Sequence, residues 1–171
     1  MGKSVNLCQL IQNCFNQLIM TGFLGEYEAT LDAKGRFLLP AGFKRQLAEG
    51  EANRFVINRG FETSLALYPL STWEPLFARI SQLNEFDPKQ RAFKRAFLNG
   101  ATYVEPDTAG RILVPPSLKG YAELTKDMVL MATGEKLEIW DSNKYKQFFD
   151  SISSDALSAL GNEVLGGKKP E

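Results

Sequence analysis

The chain has 171 residues, and its 20 Lys and Arg balance its 20 Asp and Glu, so the formal net charge is zero. Neutrality excludes a grossly basic nucleic-acid coat and leaves room only for local basic loops. There is no His, and the two Cys, Cys8 and Cys14, both fall near the start of the chain, which excludes His-dependent nucleophiles and bases, His-ligated metals and a disulfide framework.

No stretch approaches transmembrane length, and the absence of a disulfide pattern and of a secretion signal fits a reducing, cytoplasmic compartment. Residues 1–22 differ in texture from the rest. Leu10, Ile11, Phe15, Leu18 and Ile19 have loosely helical spacing, but Gln and Asn interrupt them too often for a signal-peptide core. Asn6 stands where N-myristoylation needs Ser or Thr, despite Gly2. The segment reads either as a weak amphipathic helix or as an early start ahead of Met20. The second reading predicts that a chain starting at Met20 keeps its melting temperature and its mass in solution.

From Tyr27 to Leu31 the residues alternate as in a strand. Asp32 to Gly35 reads as a turn, and Arg36 to Leu39 as a second strand ended by Pro40. Pro40 suits the opening of a short helix through Phe43 and Leu47, closed by Gly50. Arg54–Asn58 and Ser64–Tyr68 read as two more strands, with Arg59-Gly60 in the bend. Residues 25–70 therefore form a β-β-α-β-β unit.

A helical linker, 71–99, follows. Ser71 and Glu74 have capping-box spacing, and Leu76, Phe77, Ile80 and Leu83 form one apolar face. Asp87-Pro88 opens a second helix with Phe93 and Phe97 on one side. Lys89, Arg91, Lys94 and Arg95 on that helix read as a solvated face before they read as phosphate contacts. The β-β-α-β-β order then returns over residues 100–143, with a short helix at Pro116–Tyr121. Tyr68 and Trp140 occupy equivalent strand ends, and Trp73 and Tyr145 each follow five residues later. All four read as core aromatics rather than ligand stackers. Asp141 is placed to cap a C-terminal helix through Tyr145, Phe148 and Phe149, and residues 144–171 end in a disordered tail from Gly166.

The recurrence is sharpest in two motifs. LDAKGRFLLP, Leu31–Pro40, returns within EPDTAGRILVPP, Glu105–Pro116, and Asp32 and Asp107 stand 75 residues apart (107 − 32). An Asp four residues before an Arg, a Gly just before that Arg and an apolar run ending in Pro are common to both, which points to an internal duplication. In each copy the Asp and Arg flank a tight hairpin loop, where the carboxylate can accept the guanidinium and fix its direction. A structural ion pair and an oriented recognition cation both fit this pattern.

FLGEYEATLDAKGRFLLP, YPLSTWEPL, the linker helices and EPDTAGRILVPP together resemble the MraZ family over roughly Phe23 to Phe149. The resemblance implies an α+β, mainly β fold: two tandem AbrB-like swapped-hairpin β-barrel repeats joined by a helical linker. It implies a bacterial transcriptional regulator of the division and cell-wall gene cluster, cytoplasmic and nucleoid-associated. Such a protein assembles as a homo-oligomeric ring on direct repeats in double-stranded promoter DNA, without cofactor, small-molecule substrate or membrane. The residues it implies for DNA binding are Asp32, Lys34, Arg36, Asp107 and Arg111. Ala109 stands where the first loop has Lys34, so the second loop is expected to be less basic. The N-terminal extension has no counterpart in the family pattern. The rival reading is a non-enzymatic assembly module in which the Asp–Arg pairs are structural salt bridges. An enzyme is further off, since no carboxylate or Lys pair stands out.

Overall fold

The computed structural model describes residues 22–166. In chain order these form β1 (Phe23–Thr30), β2 (Arg36–Leu38), α1 (Ala41–Lys44), a 3-10 turn (Glu51–Asn53), β3 (Phe55–Arg59) and β4 (Leu65–Pro69). The linker contributes α2 (Leu70–Ser81) and α3 (Pro88–Leu98). The second half adds β5 (Thr102–Val104), β6 (Arg111–Leu113), α4 (Pro116–Tyr121), β7 (Asp127–Gly134), β8 (Leu137–Asp141), α5 (Ser142–Asp150) and α6 (Ser154–Leu165). Both halves follow the expected β-β-α-β-β order.

Local pairing is where the structure departs from the sequence reading. Asp32 and Arg36 flank a turn, but β1 and β2 do not form a hairpin ladder. β1 pairs antiparallel with β7, and β2 pairs antiparallel with β6, with Phe37 opposite Ile112. The larger sheet runs β1-β7-β8-β4-β3-β5, and β2-β6 is a separate ribbon. The physical reason lies in the strand lengths. β2 and β6 are three residues each, and each has one inward side chain, Phe37 or Ile112, both fully buried. Exchanging partners between halves seals both side chains in one core, as the swapped-hairpin resemblance implies. That core draws on both halves, including Phe37, Phe43, Ile57, Ile112, Leu118 and Met128.

A smaller cluster joins the linker to the sheet. Val56, Ala66, Tyr68 and Trp73 are buried, and Leu76 and Phe97 pack against them. Tyr68, Trp73 and Trp140 are thus core aromatics, as expected. Tyr145 is only half-buried, and its hydroxyl donates to Glu26 on β1. Burial, then that hydrogen bond, pushes its phenol up to about 12.

Three boundaries differ from expectation. Ser71 and Glu74 form no capping box: α2 begins one residue earlier, Pro69 occupies the cap, and no side chain caps it. α1 ends at Lys44, short of Leu47, and Gln46 instead ties this turn to β1 by bonding both the N–H and the carbonyl of Leu24. The single C-terminal helix is two, broken at Ser151–Ser153, with Ser153 capping α6 through the Ala156 N–H. The expected caps at Asp87 and Asp141 are both made. The early-start question and the tail beyond Gly166 lie outside the described residues. Among the described residues no helix is long and apolar enough to cross a membrane.

Candidate nucleic-acid interface

Each repeated motif folds into the same small machine. Asp32 N–H donates to the Arg36 carbonyl at 2.8 Å, and Gly35 N–H donates to the Asp32 carbonyl at 2.9 Å. The matching bonds in the second motif, from Asp107 and Gly110, are both 2.8 Å. Gly35 and Gly110 share a φ of +79°, a left-handed conformation that L side chains resist. One carboxylate oxygen of Asp32 accepts the Lys34 and Arg36 peptide N–H groups, both at 2.9 Å. The other accepts Arg36 Nε at 2.9 Å and lies 2.7 Å from its second terminal nitrogen. Asp107 repeats this with Ala109 N–H, Arg111 N–H and Arg111 Nε, each at 2.9 Å. A charge-assisted bond of this kind fixes the direction of the guanidinium.

Strand exchange brings the two machines together. Arg36 sits opposite Leu113, and Leu38 opposite Arg111. Directly opposed residues share one face of a ribbon, so Arg36, Leu38, Arg111 and Leu113 all lie on the face away from buried Phe37 and Ile112. Leu38 and Leu113 are 58% and 53% exposed. Arg36 also reaches across the repeats, its first terminal nitrogen 3.4 Å from Asp107.

This arrangement changes the expected balance between the halves. The guanidinium of Arg36 is engaged on all three nitrogens, whereas Arg111 gives only Nε to Asp107 and is the more exposed, at 39% against 24%. The second loop lacks a counterpart of Lys34, yet Lys44 of α1 lies beside it: its Nζ is 3.5 Å from where a Cβ on Gly110 would stand. Lys34 itself is exposed at the tip of the first loop and makes no ion pair among the described residues. Lys44, Leu38 and Leu113 were not singled out from sequence. Period-two alternation around Phe37 and Ile112 does signal the outward leucines, but Lys44 depends on the strand exchange. The linker's basic face behaves as a solvated one: Lys94 pairs with Glu85, and Arg91 donates to the Glu85 carbonyl.

The peptide N–H of Arg36, then its guanidinium, pulls the Asp32 carboxyl down to about 2. Asp107 is also lowered, first by the Arg111 peptide N–H, against a smaller opposing effect of burial. Because Asp32 is more acidic folded than unfolded, it contributes stability above its ordinary value of 3.8 and loses it as pH falls toward 2. The wild-type melting temperature is therefore expected to fall more steeply between about pH 4 and pH 2 than that of Asp32→Asn. Parallel acid curves for the two proteins would refute this.

Two stretches, residues 22–96 and 97–165, each match the family described as "MraZ protein, putative antitoxin-like". The chain is 38% identical over 149 residues to a transcriptional regulator MraZ of Cytophaga hutchinsonii, covering 87% of this chain and 98% of that protein. A protein of the same name from Christiangramia forsetii is 42% identical, with 86% and 95% covered. Another, from Desulfitobacterium hafniense, is 43% identical, with 84% and 96% covered. With both of its halves matched and relatives aligned over nearly their whole length, the chain belongs to the MraZ family, a family of transcriptional regulators rather than enzymes.

Proposed function

We propose that the chain binds double-stranded promoter DNA sequence-specifically, as a homo-oligomeric ring seated on direct repeats before the division and cell-wall gene cluster. The observation that carries this reading is the pairing of two Asp-oriented arginines on one exposed ribbon face. A two-stranded ribbon fits the major groove, where an Arg fork reads guanine by two hydrogen bonds. Asp32 and Asp107 act by aiming those forks, and Lys34 neutralises a phosphate. Few cations on a neutral chain give little affinity alone, so several subunits share the work on tandem sites. The nucleoid is then where the protein resides.

The salt dependence of binding tests the phosphate role. Lys34→Ala is expected to weaken binding to all sequences alike and to lower the slope of log affinity against log salt by about 0.9 for each phosphate left without its lysine. The readout is fluorescence anisotropy on DNA upstream of the protein's own gene, across a salt series. An unchanged slope would remove Lys34 from the interface.

A second reading has one observation in its favour. The ion pair from Arg36 to Asp107 joins the two repeats, which suits a structural bridge in a non-enzymatic assembly module. A gel shift separates the readings: a pure assembly module retards neither upstream nor sheared DNA.

A further inference from the structure

The first loop carries a lysine of its own and the second does not. Lys34 stands exposed at the tip of the first turn, and Ala109 (34 + 75) holds its place in the second. Both peptides make the same bond, Lys34 N–H to Asp32 and Ala109 N–H to Asp107, each at 2.9 Å. The two turns therefore match in backbone and differ by one cation.

Strand exchange brings a cation to the second turn from the other repeat. The Leu39 N–H donates to the Gly110 carbonyl at 3.1 Å, which pins the end of β2 against that turn. α1 starts two residues later, and fully buried Phe43 fixes its rotation. Lys44, the next residue, is exposed. Its Nζ and the Leu38 Cδ1 are 3.5 and 3.7 Å from one point, where a Cβ on Gly110 would stand. Leu38 lies on the outward ribbon face opposite Arg111, so the ammonium stands at the edge of that face, beside the second motif. The matching residue of the second repeat is Lys119 (44 + 75), and no atom of it lies within 4 Å of the corresponding point on Gly35.

Lys44 lines a hollow of about 390 Å³ with Glu105, Asp107 and the turn residues Thr108, Ala109 and Gly110. Both carboxylates there already have guanidinium partners: Arg54 is 3.7 Å from Glu105, and Arg111 and Arg36 are 2.9 and 3.4 Å from Asp107. Lys44 itself makes no ion pair among the described residues. A lysine is a compact charge on a flexible stem, suited to a phosphate rather than to a base edge.

We propose that Lys44 is the DNA phosphate-binding cation of the second loop, supplied by the first repeat where Ala109 offers none. Each Asp-oriented arginine then has one lysine beside it, Lys34 within its own loop and Lys44 across the exchange. The two loops stand at opposite ends of the antiparallel ribbon, so the ribbon holds the DNA backbone at two points rather than one. This inference rests on the DNA-binding reading above and adds a residue to it.

Fluorescence anisotropy of the full chain on upstream DNA, across a salt series, tests it. Lys44→Ala is expected to lower the slope of log affinity against log salt by about 0.9 for each phosphate released. Mass in solution and melting temperature should not change. Lys119→Ala is expected to leave the slope alone. Ala109→Lys in the Lys44→Ala protein is expected to restore it, because it rebuilds the first loop's arrangement on the second. A Lys44→Ala slope equal to that of wild type overturns the assignment and leaves the DNA reading standing. A slope lowered equally by Lys44→Ala and Lys119→Ala reports only the general field of the chain and overturns it too. So does a Lys44→Ala defect that Ala109→Lys does not repair, or one accompanied by a loss of mass or stability. Wild-type protein that binds no upstream DNA at the lowest salt overturns both readings.

Discussion

Arg36→Ala is expected to lower affinity for upstream DNA steeply while leaving oligomer mass and melting temperature nearly unchanged. A bidentate Arg–guanine contact is worth about 1–3 kcal/mol of discrimination, and a ring presents the loss several times over. The stability cost is small because the ion pairs are only partly shielded, with Arg36 24% and Asp32 33% exposed. Ion pairs still in reach of water contribute little to stability. Arg36→Lys separates fork from charge: it keeps a cation for phosphate but cannot present two parallel donors. Specific binding should therefore fall in both variants, and the salt slope should drop more with Ala. Arg111→Ala is expected to be at least as damaging, since among the described residues Arg111 commits only its Nε, to Asp107, and neither terminal nitrogen. Anisotropy on upstream and scrambled DNA, with scattering for mass, reads all three variants. Should Arg36→Ala dissolve the oligomer while the remaining protein still binds normally, the assembly-bridge reading takes over.

The largest effect on stability belongs to Phe37. Its ring is 1% exposed and faces Ile112 across the ribbon that joins the halves. Truncating a buried Phe to Ala costs about 3–5 kcal/mol, a large part of the roughly 5–15 kcal/mol that holds a domain folded. Leu38, its neighbour on the same strand, is 58% exposed, and Leu38→Ala should stay within about 0.5 kcal/mol. Urea unfolding of the two variants beside wild type checks this. Equal midpoints would mean that the ribbon contributes nothing to the shared core.

Much of this was legible because its causes are local. The Asp32 and Asp107 turns are held by side chain to peptide bonds within four residues, and Gly35 and Gly110 mark the left-handed step. The Asp87 and Asp141 caps are equally short-range. Alternation in β2 tells that Phe37 faces inward but not which strand lies alongside, because a three-residue strand has no register of its own to read. The Arg36–Asp107 bond and the approach of Lys44 follow from that pairing, so they stayed hidden with it. Ser71 had the chemistry of a cap, yet the backbone turns helical one residue before it, at Leu70. The break between α5 and α6 fell in a Ser-rich stretch, and Gly161 weakened the pattern that followed it.

The exchange of strands has a consequence for how the chain comes into being. β1 waits for β7 and β2 for β6, so neither opening strand has its ladder partner until the second half exists. On the ribosome, at about 5–20 residues per second, the roughly 70 residues from β2 to β6 take about 4–15 s to appear. During that interval the emerging chain displays Phe37, Phe43 and two unpaired strand edges to its surroundings. Contacts this distant in sequence also slow closure once the whole chain is free. Neighbouring nascent copies on one message carry the same unpaired edges, so trading a strand with the wrong copy is the characteristic error of this architecture, and dense translation of the message is the condition that favours it.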